Sequence, residues 1–163
     1  MKELLTHIRQ DILMPNAYLG TLLSTPAQQI RVRQSYEQLF PEGVPQLFPF
    51  VLLSIAKEAP EPNYPQIFRP SFFVDVYSAK SYEECADLWR NISASVLQQY
   101  GTAQGIYPLL QGQVFDFTDI NIYKTWLSSG PLWKYDEQTR MFFITAEFSS
   151  YVSANGLFNY SFS

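Results

Sequence analysis

The clearest alternation of apolar and polar positions lies between Phe68 and Gly101. Pro70-Ser71-Phe72-Phe73-Val74-Asp75-Val76-Tyr77 is rich in aromatic and β-branched side chains and predicts a buried strand. Ser78-Ala79-Lys80 breaks it. Ser81 stands three residues before Glu84. At that spacing a serine oxygen takes an orphan amide at a helix start and the carboxylate reaches back. From there Cys85, Leu88, Trp89, Ile92 and Val96 recur at helical intervals, and Gly101 suits a left-handed cap. The pattern predicts one long central helix over 81–100, about 30 Å in length, whose apolar stripe covers a sheet.

Upstream, Leu4, Leu5, Ile8, Ile12 and Leu13 form a shorter helical stripe that ends before Pro15, predicting a helix over 2–13. Residues 15–29 read as a connector with room for one helical turn. Gln29 to Gln34 alternates Ile30 and Val32 with Arg31 and Arg33, as a half-buried or edge strand does. Pro41-Glu42-Gly43-Val44-Pro45 is a turn. Phe48 to Ile55 is apolar on both faces, which predicts a central or doubly covered strand. Glu58 to Pro70 holds Pro60, Pro62, Pro65 and Pro70 and predicts a stiff extended loop closing an elongated hairpin. It carries Tyr64, Ile67 and Phe68 and is expected to touch a partner. Deleting 59–66 should then spare folding and impair assembly.

Downstream, 105–110 and 113–117 read as extended segments around Gln111-Gly112, and 120–126 alternates less cleanly. Ser128-Ser129-Gly130-Pro131 reads as a break. Trp133-Lys134-Tyr135 and 140–148 predict a hairpin around Asp136-Glu137-Gln138-Thr139. In its second arm Phe142, Ile144, Ala146 and Phe148 share one face, and Met141, Phe143, Thr145 and Glu147 share the other. After the turn dipeptide Asn155-Gly156, Phe158, Tyr160 and Phe162 alternate with polar residues. Residues 151–163 are thus either a last strand folding back on the chain or an arm for a neighbouring subunit's sheet edge. The expected fold is a single α+β domain over 1–163. It is a mostly antiparallel sheet with the N-terminal helix and the long central helix packed on one face.

Composition narrows the function classes. The 163 residues are 47% hydrophobic and 16% charged, enough for one real core. Aromatics reach 17%, more flat surface than one core needs unless part of it meets other subunits. The net charge is −4 and no Lys/Arg run exists, so direct grip on phosphates is not expected. Cys85 is the only cysteine and lies on the apolar stripe, which excludes an intrachain disulfide and a four-cysteine zinc site. No apolar run approaches a membrane span and the first residues lack a signal-peptide run, so a reducing cytoplasm, or an assembly built there, is expected.

No phosphate loop, Gly-x-Ser-x-Gly elbow or His-Glu-x-x-His motif occurs. His7, the only histidine, reads as an exposed surface residue. The best enzyme-like feature is the pair Asp75 and Glu147, which could converge for acid–base work if their strands are neighbours. The plainer reading turns both toward solvent or a pore. Glu83, Glu84 and Asp87 suit the helix dipole. Tyr123, Trp126 and Trp133 could stack bases or sugars, but such a stripe is more often core or protein interface.

The order of elements carries a resemblance. An N-terminal helix leads to Phe48-Pro49-Phe50-Val51-Leu52-Leu53, then to Phe72-Phe73-Val74-Asp75-Val76-Tyr77-Ser78, the Ser-Tyr-Glu-Glu-Cys-Ala-Asp-Leu helix at 81–88 and a late hairpin. Over 1–150 this resembles the tail terminator, or tail completion, proteins of long-tailed bacteriophages. The resemblance implies a structural virion protein without catalysis, cofactor or metal. It implies a ring, commonly of six subunits, that caps the head-proximal end of the tail tube, ends its polymerisation and meets the head connector. Genome DNA would pass through without specific binding, with Asp75 and Glu147 as lumen-facing candidates. Tyr64, Ile67, Phe68, Tyr123, Trp126 and Trp133 are the interface candidates. The alternatives are a head-completion or neck protein of the same region and, from another class, a small cytoplasmic enzyme using Asp75 and Glu147.

Overall fold

A computed structural model describes residues 2–33, 47–58, 60–61, 64–93 and 115–154. In chain order these form α1 (Lys2–His7), which runs on as a π-helical stretch (Ile8–Leu13), then α2 (Ala17–Leu22), α3 (Pro26–Gln29), β1 (Ile30–Arg33) and β2 (Phe50–Lys57). There follow β3 (Pro60–Glu61), β4 (Tyr64–Phe68), β5 (Ser71–Ser78), α4 (Tyr82–Ser93), β6 (Phe115–Asp116), β7 (Ile120–Asp136) and β8 (Met141–Ala154).

Eight strands of the described residues make one mixed sheet. β2, the run apolar on both faces, pairs antiparallel with β5 near the middle of the sheet, with Leu52 opposite Asp75. Beyond β5 lies β8, and beyond β8 the long β7 with β6 on its far side. β1 closes the other edge, parallel to β2 from Ile30↔Val51 to Arg33↔Ser54. Parallel pairing is feasible because the chain between β1 and β2 is long enough for a crossover. The edge position of the Arg31–Arg33 segment agrees with its charged alternation.

The expected fold class needs correction. The described chain is 50% strand and 30% helical, the sheet is mixed, and every helix is short. No long central helix is found: among the described residues α4 is a 12-residue helix over Tyr82–Ser93, and 94–100 lie outside them. Two side chains near its end turn back on the backbone. Asn91 Nδ2 donates to the Asp87 carbonyl at 2.7 Å and Ser93 Oγ to the Arg90 carbonyl at 3.1 Å. The start is capped as the spacing predicts, with Glu84 N–H donating to Ser81 Oγ at 3.3 Å. The reciprocal arm differs: the Glu84 carboxylate accepts from Ser78 Oγ at 2.6 Å.

Two further expectations change. The proline-rich 58–70 segment is not an unpaired loop. β3 and β4 pair with each other, and Ile67 and Phe68 pair with Ser153 and Val152 of β8. Pro60 falls where the β3–β4 ladder shifts register, which the missing N–H permits. Deleting 59–66 therefore removes paired strand, not only a connector. Ser128-Ser129-Gly130-Pro131 does not end a strand either, since β7 passes through it with register shifts against β8. Gly130 makes this passage with φ +88°, and a Cβ there would lie 2.9 Å from the Thr145 carbonyl oxygen. Gly130→Ala should cost about 1–3 kcal/mol of stability. The expected reading is a lower urea midpoint at unchanged slope.

The main core lies between the sheet and the helices. Val51, Leu53, Val74, Val76, Ile144 and Phe148 meet Leu4, Leu5 and Ile8 of the first helix and Cys85, Leu88 and Ile92 of α4, all nearly solvent-free. Each large side chain so buried contributes about 1.5–3 kcal/mol before chain entropy. The first helix spans 2–13 as its stripe predicts. Its second half is wound wider, with Met14 N–H bonding the Arg9 carbonyl at 2.9 Å. The 15–29 connector holds two short helices rather than one turn. The 105–114 segments and the 155–163 tail lie outside the described residues.

Candidate functional site: the sheet face away from the helices

Alternation along the strands sends a second set of side chains to the opposite face, and the register arranges them in rows. One row runs Phe50, Tyr77, Phe143, Lys134 across β2, β5, β8 and β7. Its rings stack: Phe50 on Tyr77 at 4.7 Å and 11°, and Tyr77 on Phe143 at 5.1 Å and 19°. Phe48 meets Phe50 edge-on at 5.3 Å. Phe50 and Tyr77 form with Leu52 and Met141 a second, smaller apolar cluster, against which Phe143 packs.

The next row is Arg31, Leu52, Asp75, Thr145, Leu132, and the one after it Arg33, Ser54, Phe73, Glu147, Ser129. Asp75 and Glu147 therefore share this face of adjacent strands, one diagonal apart. Burial pushes the Asp75 carboxyl above the usual carboxylate range, against the Thr145 hydroxyl and the charges of Arg33 and Lys134, which pull it down. Its Oδ1 is buried without a hydrogen-bond partner. Glu147 is half-buried. Burial likewise raises the Tyr77 phenol, helped by the Asp75 charge.

The interface candidates separate into groups. Trp133 is exposed on the β7–β8 arm, its ring 5.6 Å from Tyr82, and Leu132 and Tyr135 are exposed beside it. Tyr123 is exposed and its hydroxyl lies 2.8 Å from Ser153 Oγ. Trp126 is half-buried, tilted on Tyr151 at 4.9 Å with Lys124 Nζ 6.0 Å from its centroid. Ile67 and Phe68 are half-buried in the sheet, and the Tyr64 side chain lies outside the described residues. Phe73, not singled out from sequence, is the exposed ring at the middle of this face. Its signal was its place in the strand, on the same side as Asp75.

Two residues bear on catalysis. Cys85 is solvent-free, its thiol donating to the Val76 and Phe142 carbonyls at 3.5 and 3.4 Å. Burial, with the Glu84 charge, pushes it up to about 12, so it carries no thiolate at neutral pH. His7 is not the exposed residue that the sequence suggests. It is 18% exposed, with Asp11 and Asp119 at its two ring nitrogens and Phe117 stacked on its face. With both nitrogens so engaged it offers no lone pair to a nucleophile. The Asp11 spacing was visible in the sequence, whereas Asp119 comes from across the chain.

Among the described residues no group of His, Cys, Asp and Glu could hold a metal ion, and no helix is long and apolar enough to cross a membrane. The chain matches no protein-family model and no curated protein sequence.

Proposed function

We propose that the chain is a structural assembly subunit of the tail-terminator kind. Copies of it would close a ring, six being the usual number for that class, on the head-proximal end of a phage tail tube and meet the head connector. One observation carries the reading: large apolar side chains stay exposed on paired strands after two cores have been filled. Phe73 is 37% exposed, Leu132 and Trp133 are each 52% exposed, and Tyr135 is 45% exposed. Rings held on a rigid sheet make good anchors for a protein partner, because little entropy is lost when they are covered. A closed ring joins two different patches of each subunit. The exposed β7–β8 arm and the Phe73 face would serve as two such patches. The strand, serine cap and helix at 71–93 keep the order of elements on which the resemblance rests.

Light scattering on the purified chain, alone and mixed with an assembled phage tail tube, tests this. The expected result is a ring-sized particle, alone or on the tube. A monomer in both mixtures overturns the reading. Binding to a connector but not to the tube makes the chain a neck protein instead. Asp75 and Glu147 on one face keep an acid–base enzyme as the reading from another class. A ring whose formation survives Asp75→Asn and Glu147→Gln, with no small-molecule turnover, removes it.

A further inference from the structure

His7 is the only histidine of the chain. Its Nδ1 lies 2.7 Å from Asp11 Oδ2, one turn along the same helical stretch, and its Nε2 lies 2.7 Å from Asp119 Oδ1, in the turn that leads into β7. The ring stacks on Phe117 of that turn at 3.8 Å and 12°. The turn itself is closed by Phe117 N–H donating to the Ile120 carbonyl at 2.9 Å and by Ile120 N–H donating to Asp119 Oδ1 at 3.0 Å.

An ionised carboxylate only accepts hydrogen bonds. Both contacts therefore need a hydrogen on both nitrogens, the imidazolium form. A neutral ring can donate to one carboxylate and must point a bare lone pair at the other, oxygen against nitrogen at 2.7 Å. We propose that His7 is a proton-operated latch that fastens the N-terminal helix to the β6–β7 turn, closed when the ring carries both hydrogens and released on one side when it is neutral. Asp11 sits on the same helical stretch and holds little together. The Asp119 contact joins residues far apart in the chain and is the side whose loss matters.

The surrounding charges agree. Burial alone would lower the imidazole. The hydrogen bonds to Asp11 and Asp119, with the charges of both, outweigh it and hold His7 above its ordinary value of 6.5. Among the described residues, these two carboxylates are the charged groups acting on the ring from its own helical stretch and from the turn. Asp116, at the far end of the turn, is exposed. Burial acts to raise Asp119, and the His7 hydrogen bond with backbone N–H groups overrides it, so Asp119 ends below the usual carboxylate range. The signs give one window. The His7 contribution is complete below its unfolded value and is lost as pH rises through the higher folded one. The Asp119 contribution is complete above its unfolded value and is lost as pH falls through the lower folded one. The latch is closed between those two limits.

The test is an NMR titration of the full chain from acid to alkaline pH, with amide-exchange protection factors measured alongside. A single histidine makes the imidazole signal unambiguous. The expected midpoint lies above 6.5. Protection at 117–122 should fall at least several-fold across it, with the central β5 amides unchanged. Asp119→Asn should lower the midpoint, and His7→Gln should make protection at 117–122 independent of pH. A wild-type midpoint at or below 6.5, or protection at 117–122 that does not follow the ring, overturns the latch. The wild-type measurements decide it even where a variant folds poorly.

Discussion

Leu88→Asp is expected to abolish the native fold. Leu88 is 1% exposed and belongs to the core between α4 and the sheet. Replacing it removes an aliphatic contact, which costs about 2–5 kcal/mol when such a side chain is cut back to alanine. It also places a carboxylate where no water or cation can reach it, a further penalty of several kcal/mol. Domains of this size hold only about 5–15 kcal/mol in total. Far-UV circular dichroism and urea titration should show an unfolded or molten chain at 25 °C. Leu88→Ala should stay folded with a lower midpoint. Asp87→Ala, one position along and on the exposed side of the helix, should change little. A Leu88→Asp protein that melts like the wild type would mean that α4 does not use this face.

The contrast between neighbouring positions shows what could be read from the chain. Strong periodicity with a local cause was legible: the Ser81 cap, the doubly apolar β2 strand, the Cys85–Leu88–Ile92 stripe and the sorting of 141–148 onto two faces all follow from side-chain spacing. What was not legible depends on partners distant in sequence. The 81–100 helix rested on Val96 extending the stripe, and the described helix covers only Tyr82–Ser93 of that span. The Gly130-Pro131 pair punctuates most chains, but here β8 supplies a continuous ladder that carries β7 through it. Asp119 reached His7 only through the third dimension. The parallel seating of β1 is likewise a property of the crossover and not of the Ile30–Arg33 pattern itself.

The candidate site was half legible for the same reason. Asp75 and Glu147 could be placed on one face by alternation, but whether the two strands adjoin is a matter of topology, and so is the company they keep. β1 and β7 bring Arg31, Arg33 and Lys134 to that face. The carboxylates thus stand among cations and stacked rings. Such a mixed surface suits recognition of another protein better than a uniformly acidic wall would, since complementary charges fix register while the rings supply area. Trp133 was marked from composition alone. Its exposure, beside exposed Leu132 and Tyr135 on β7, was not readable from the sequence, because it depends on β7 lying beyond β8 in the sheet.

Asp75→Asn is expected to stabilise the protein at neutral pH, and the gain should vanish in acid. The Asp75 carboxyl is held above the usual carboxylate range chiefly by burial, and one of its oxygens has no partner. A carboxyl whose folded value is raised binds its proton more tightly in the native state than in the unfolded chain. Native stability is therefore greatest below the unfolded value, falls as pH rises through the folded one and is flat beyond it. The amide keeps the shape and the Thr145 contact without the charge, so it escapes that fall. The recovered free energy should be about 1–3 kcal/mol, the usual cost of a buried polar group left short of partners. Urea midpoints of the two proteins should diverge between acid and neutral pH and coincide below pH 4. If the wild type is the more stable at pH 7, Arg33 and Lys134 hold the ionised form more firmly than burial opposes it, and Asp75 is a structural ion pair. If the variant is stabilised yet forms rings poorly, the strain at Asp75 is kept for contact with a neighbouring subunit.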